Sequence, residues 1–193
     1  MNETSYHHGD LRTAMIEKGM EMINEGGLKN LSLRKLAAAC GVSHAAPYSH
    51  FSGKDDLFAA IQNHITDKFV IVLNEAIKNS SETSDGLFHM GCNYVLFFVR
   101  NPKYFSFLFS RANIYLDLTG ESGGYEPFAI YKKLMHQLFA ETQYPEELWL
   151  KTILSHWAFV HGLASVVTMS GADTIKEWED IIPDLLANNY FLQ

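Results

Sequence analysis

Cysteine is nearly missing from this chain: Cys40 and Cys92 are the only two in 193 residues. They stand far apart, each on an apolar helical pattern, so packing as small hydrophobic side chains accounts for them better than a disulfide or a metal site. Long apolar runs are missing too. No stretch of about 18 apolar residues occurs, so no membrane-spanning helix is expected. The opening M-N-E-T-S-Y-H-H-G-D lacks a basic start followed by an apolar segment, so no signal peptide is expected either. A cytoplasmic protein with no membrane partner is the expectation. Cations are in deficit, 15 Lys and Arg against 22 Asp and Glu, which argues against a protein that coats DNA regardless of sequence. H-E-x-x-H, G-x-S-x-G, C-x-x-C and a phosphate-cradling glycine loop are all absent. His156 and His161, five residues apart, stand about 140° apart around a helix and do not easily share a metal. No metal, no cofactor and no enzymatic activity are therefore expected.

What is present is helical periodicity. With 47% hydrophobic residues the chain can bury a substantial core, and its apolar residues recur at three- and four-residue spacing almost throughout. The arrangement is organised around residues 31–54, L-S-L-R-K-L-A-A-A-C-G-V-S-H-A-A-P-Y-S-H-F-S-G-K. Leu33, Leu36, Ala37 and Cys40 share one face of a first short helix, with Arg34 and Lys35 pointing away. Gly41 ends it, Ser43 caps a second helix over His44–Phe51, and Ser52 with Asp55 opens a third as a capping box. Pro47 costs that second helix one backbone bond. The stretch holds Arg34, Lys35 and Lys54 and no carboxylate, a local charge of +3 in a chain of formal charge -7. A helix-turn-helix facing a polyanion is one reading of this pattern; a small helical subdomain with a merely structural turn is the other.

Three motifs narrow the choice. Y-H-H-G-D-L-R at residues 6–12, E-G-G-L-x-x-L-S-L-R-K-L-A at 25–37 and G-V-S-H-A-A-P-Y-S-H-F at 41–51 together resemble the TetR family of bacterial repressors, closely over about the first 60 residues. The resemblance implies that Ser32, Tyr48, His50 and Lys54 touch phosphates and that His44 and Ala45 lie against base edges. Arg34 could serve either role, and Ser43 is counted among the DNA-binding residues.

Beyond residue 54 the pattern predicts a bundle. A long helix through Leu57, Phe58, Ile61, Ile65, Phe69 and Leu73 fades at residues 78–86 and should link head to body. A bulky helix over residues 87–99 breaks at Arg100-Asn101-Pro102 and restarts through Tyr104–Phe109. Residues 88–109 hold 6 of the 13 phenylalanines, either as ordinary core or as the wall of a ligand site between helices. Tyr94, Phe97, Phe98, Tyr104, Phe105, Phe107, Tyr131 and Trp157 are the candidate lining. Residues 117–125 read as a loop, the likeliest mobile segment of the body. A helix over residues 126–141, one over 145–169 and a last through Trp178, Ile182 and Leu185, kinked at Pro183, complete the chain. Ala158, His161, Gly162, Ser165, Trp178, Ile182 and Leu185 are the candidate dimer interface, because small residues on terminal helices let a second copy approach. Trp157-x-x-x-His161-Gly162 resembles the Trp-His-Gly type of C-terminal regulatory domain found in one TetR subgroup.

The reading is an all-α protein with a three-helix DNA-binding domain at residues 1–54 and a helical ligand-binding and dimerisation domain at 55–193. It implies a regulator, most simply a repressor, that binds a near-palindromic double-stranded operator as a homodimer and is released by a small-molecule inducer. The competing readings are a non-regulatory DNA structural protein and a small-molecule-binding enzyme.

Overall fold

The computed structural model describes residues 8–111, 114–120, 124–172, 175 and 177–188, and among these there is no strand. Among the described residues eight α-helices follow one another: α1 (His8–Gly26), α2 (Leu33–Ala39), α3 (Lys54–Lys78), α4 (Thr83–Arg100), α5 (Pro102–Arg111), α6 (Glu126–Thr142), α7 (Trp149–Val166) and α8 (Trp178–Asn188). Single turns of 3-10 helix stand at Leu28–Asn30, Ala46–Ser49 and Glu146–Leu148. Among the described residues no helix is long and apolar enough to cross a membrane.

The first three α-helices pack head-first around a small core of Met15, Ile16, Met20, Ile23, Leu31, Leu33 and Leu36. Gly19 sits in the middle of α1, where a glycine ordinarily weakens a helix. Its role is steric. A β-carbon there would come within 2.6 Å of Ile61 Cδ1, so the bare backbone lets α1 lie directly on α3. Gly27 then takes φ 68 and ends α1.

α3 opens on a bond different from the one its sequence suggests. Asp56, not Asp55, takes the Ser52 backbone N–H at 2.8 Å and the Ser52 hydroxyl at 3.1 Å, because the helix starts two residues after Ser52, past the extended Gly53. Along its 25 residues α3 changes partners. Ile61 meets Gly19 of α1, Phe58 meets Phe107 of α5 edge-on, and Phe69 lies among Tyr94, Phe97 and Phe98 of α4, ring centroids 4.6 to 5.1 Å apart.

α4 begins at Thr83, four residues earlier than the bulky pattern suggests, since Glu82 already supplies its carbonyl to Gly86. Asn101 donates its side-chain amide to the Phe97 carbonyl at 2.9 Å, closing α4 before Pro102 starts α5. The α6–α7 hairpin is set by Phe139, stacked on both Tyr144 and Trp149, and by the Trp149 indole donating to the Tyr144 carbonyl. Of residues 117–125, expected to be mobile, 121–123 lie outside the described residues, and residues 117–120 are held by hydrogen bonds. Lys132, buried on α6, donates its ammonium to the carbonyls of Asp117 (2.6 Å) and Gly120, and the Asp117 carboxylate takes the N–H groups of Thr119 and Gly120.

The expected helix over 145–169 is a 3-10 turn followed by α7. Of the last segment, residues 173, 174 and 176 lie outside the described residues, and regular helix starts at Trp178 with Pro183 inside it. α8 packs on α4 and is clipped to it by Arg100 and Glu179, 2.6 Å apart.

Phe69 carries much of the join between α3 and α4. Phe69→Ala is expected to cost about 3 to 5 kcal/mol, read as a lower denaturant midpoint with an unchanged slope in urea unfolding.

Candidate nucleic-acid interface and body cleft

The turn after α2 is built on backbone geometry. Gly41 adopts φ 67, and two bonds close the helix around it: Gly41 N–H to the Ala38 carbonyl at 3.2 Å and Val42 N–H to the Ala37 carbonyl at 3.0 Å. This is the paired closure that a left-handed residue after a helix permits. At the other end of α2, Ser32 Oγ accepts from the Lys35 backbone N–H at 3.2 Å. That bond uses a lone pair and leaves the hydroxyl proton to be donated elsewhere.

The segment expected as a second α-helix, His44–Phe51, is instead a turn followed by the 3-10 stretch Ala46–Ser49. Pro47 is the cause. It has no N–H to return to the Ser43 carbonyl, which Ala46 takes at 3.0 Å, and the bonds from Tyr48 to Ala45 and His50 to Pro47 keep the tighter register. Ser43 is therefore not the N-cap expected of it: its backbone carbonyl closes the preceding turn, and Ala45 stands at the N-cap with no side-chain bond. The segment is anchored by Pro47 and Phe51, both buried.

Arg34, Ser43, His44, Ala45, Tyr48 and Lys54 are all exposed, whereas Ser32 and His50 are half-buried. Tyr48 is 64% exposed, an unusual place for so large a ring in the absence of a partner. Lys54 lies over the Phe58 ring with Nζ 5.0 Å from its centroid, which holds a cation at the start of α3. One further cation went unassigned at the sequence level. Arg12 of α1 is exposed and lies 5.3 Å over the Phe51 ring, so it joins this surface; its place in the Y-H-H-G-D-L-R motif was the available signal. Residues 6 and 7 of that motif lie outside the described residues.

A cleft opens in the body between α4, α6, α7 and α8. Only about 40 Å³ of it admits the centre of a water molecule, so it is narrow. Of the eight expected lining residues, Tyr94, Tyr131 and Trp157 do face it. Phe97, Phe98, Tyr104, Phe105 and Phe107 do not. Phe97 and Phe98 close on Phe69, Phe97 on Tyr104, Phe98 on Phe105, and Phe107 on Phe58; these rings form core between α3, α4 and α5. The remaining wall is Leu87, Met90, Gly91, His156, Phe159, Val160 and Leu186, mostly aliphatic residues that aromatic density could not flag. Tyr94 Oη and His161 Nδ1 are 2.9 Å apart. Tyr131 donates its hydroxyl to the Ile153 carbonyl at 2.9 Å. Burial lowers the pKa of both His156 and His161 and raises that of the Tyr94 hydroxyl well above the usual range, so all three are neutral at neutral pH.

The expected dimer residues divide. Ala158 and Gly162 are exposed on α7, and a β-carbon at Gly162 would meet nothing within 4 Å. Ser165 and Leu185 are half-buried. His161 turns inward, against Tyr94, Phe105 and Phe109. Trp178 and Ile182 belong to the chain's own core, at 9% and 0% exposure, with the Trp178 indole donating to the Ala172 carbonyl; helical spacing alone could not tell which apolar stripe of α8 faces its own bundle. The structure adds Leu150, Leu154 and Val166, which extend Ala158 and Gly162 into a stripe at four-residue steps, all of it exposed.

Residues 15–61 match the family described as bacterial regulatory proteins, tetR family. Nucleoid occlusion factor SlmA of Salmonella typhi is 34% identical over 76 residues, 39% of this chain and 38% of SlmA; the chain thus spans under two-fifths of the length of the curated relatives it matches. The fold is similar to that of a transcriptional regulator of the TetR/AcrR family from Thermobifida fusca, with a TM-score of 0.63 at 21% identity over 94% of this chain and 98% of the other. It is also similar to the transcriptional regulator FadR from Bacillus subtilis, solved in complex with stearoyl-CoA, with a TM-score of 0.66 at 15% identity over 90% and 96%.

The turn geometry can be tested directly. Since a β-carbon at Gly41 would meet nothing within 4 Å, Gly41→Ala should cost about 1 to 2 kcal/mol through backbone strain alone. Gly41→Asn should recover part of that loss in the same denaturation measurement, because asparagine tolerates the left-handed region.

Proposed function

We propose that this chain, with its tetR-family domain at residues 15–61 and its TetR/AcrR-like helical fold, is a sequence-specific DNA-binding transcriptional regulator. It acts as a homodimer on a near-palindromic operator and lets go when a small molecule occupies the body. The observation that carries this is the surface of residues 43–54: small and polar side chains on a buried Pro47–Phe51 platform, with Tyr48 extended into solvent and Arg34, Lys54 and Arg12 around it. Ala45 and His44 permit close approach to base edges. Ser32, with its proton uncommitted, Tyr48, His50 and Lys54 suit phosphate oxygens, and Ser43 and Arg34 border them. Residues 1–54 serve as reading head and 55–193 as body, with α3 belonging by contact to both.

The exposed α7 stripe supports a dimer, since apolar residues at four-residue steps otherwise stand bare in water. Two copies must hold their reading segments about 34 Å apart, or a multiple of that, to enter successive major grooves. A molecule in the cleft that prefers another spacing by about 2 to 3 kcal/mol would lower operator affinity some 30- to 150-fold. FadR's complex with stearoyl-CoA supports ligand response in this fold. The near-parallel Trp157 and His161 rings, 12° apart in plane, with Gly162 beside them, support assignment to the Trp-His-Gly subgroup. The two solved structures named above are of transcriptional regulators, which supports a non-enzymatic, cytoplasmic role.

Selection of bound sites from random duplex tests the reading: an enriched near-palindrome is expected, and uniform recovery of all sequences would overturn it. Tyr48→Phe and Lys54→Ala should weaken binding to every sequence about equally, whereas His44→Ala should relax preference at one base position. Gly162→Leu meets no clash within the chain, so it should leave the fold intact and convert the dimer to monomer in sedimentation; an undisturbed dimer would take Gly162 out of the interface.

A further inference from the structure

The wall of the body cleft says what kind of molecule can enter it. Resting on the reading of the body as an inducer domain, we propose that this cleft takes a slender, uncharged, largely apolar molecule with a single hydrogen-bonding group, and rejects carboxylates, phosphates and ammonium ions.

Four observations converge. Among the described residues the lining contains no Lys, Arg, Asp or Glu, so an ionic ligand would leave its charge facing Leu87, Met90, Val160 and Leu186 without a counter-ion among them. Lys132, a buried cation of the body, is committed to the Asp117 and Gly120 carbonyls and lies 3.9 Å from the Asp117 carboxylate. Two of the polar side chains on the wall already bond within the protein, Tyr94 to His161 and Tyr131 to Ile153; in either direction of its bond the Tyr94 hydroxyl keeps a lone pair with which to orient a guest. Both histidines are held neutral by burial, so they offer a dipole and no charge. The narrow bore and its largely apolar wall suit a slender alkyl or flat aromatic skeleton better than a bulky or strongly hydrated one. Gly91 makes that bore possible. A β-carbon there would reach ordinary contact with Leu186 and Val160, at 3.7 to 3.8 Å, so anything larger than alanine must project into the cleft.

The test compares three probes with one skeleton, n-octanol, octanoate and octylammonium, by calorimetry and thermal shift on the full-length protein. At neutral pH n-octanol should bind and raise the unfolding temperature. The two ions should bind roughly a hundredfold more weakly or worse, the consequence of an unpaired charge in an apolar site. Octanoate should gain about tenfold per pH unit on going from pH 8 to pH 6, as its neutral form becomes available, while n-octanol stays constant. Gly91→Leu should abolish n-octanol binding, and Gly91→Ala, which fits without displacement, should weaken it in a protein at least as stable as the parent. Octanoate or octylammonium binding as tightly as n-octanol would overturn the proposal. So would n-octanol binding that both Gly91 variants leave unchanged, or no n-octanol binding at all. Operator release is measured separately: selective n-octanol binding that leaves DNA affinity untouched upholds the ligand class and removes the cleft from regulation.

Discussion

Leu57, Ile61, Ile65, Phe69 and Leu73 recur every four residues along α3, and each is fully buried. Four-residue steps on a helix of 3.6 residues per turn advance about 40° each, so the seam winds some 160° around the helix from one end to the other. The winding is what lets one helix belong to two cores. At Ile61 the seam faces α1; by Phe69 it faces α4 and the aromatic cluster beneath the cleft. The two cores are therefore attached to one rod.

Two further contacts restrict that rod. Gly19 brings α1 so close that Ile61 has no slack, and Phe107 of α5 meets Phe58 one turn from the start of α3. α5 thus touches the base of the reading head, while Phe105 and Phe109 of the same helix pack on His161, which is bonded to Tyr94 on the cleft wall. α5 thus carries rings toward both places, Phe105 and Phe109 toward the cleft wall and Phe107 toward the root of α3. Packed rings of this kind resist small deformations and favour displacement as a unit, which is the property a regulator requires of the material between its two sites.

The N-terminal motifs were legible because their chemistry is local. Gly41 needs a left-handed backbone whatever surrounds it, and Ser32 caps α2 within four residues of itself. The charge of residues 31–54 is likewise a property of the chain alone. Local signals also misled where a neighbour intervened. Pro47 was recognised as a defect, but the collapse of the second helix to a 3-10 turn depended on which carbonyls the remaining N–H groups could reach. Ser52 was paired with Asp55 on the usual spacing, while the extended Gly53 moved the helix start and gave the bond to Asp56.

Periodicity in the sequence determined that the fold is all-α, with a helix-turn-helix pattern near its start and a helical bundle after it. These follow from the spacing of apolar residues and from turn chemistry, both of which act over a few positions. Only the tertiary structure decided which rings are core and which face the cleft, that Trp178 and Ile182 belong to their own chain, and that Leu150, Leu154, Ala158, Gly162 and Val166 form the uncovered stripe. A helix states which of its residues share a face, but what that face meets is set by the other helices, and that information is not local to any segment.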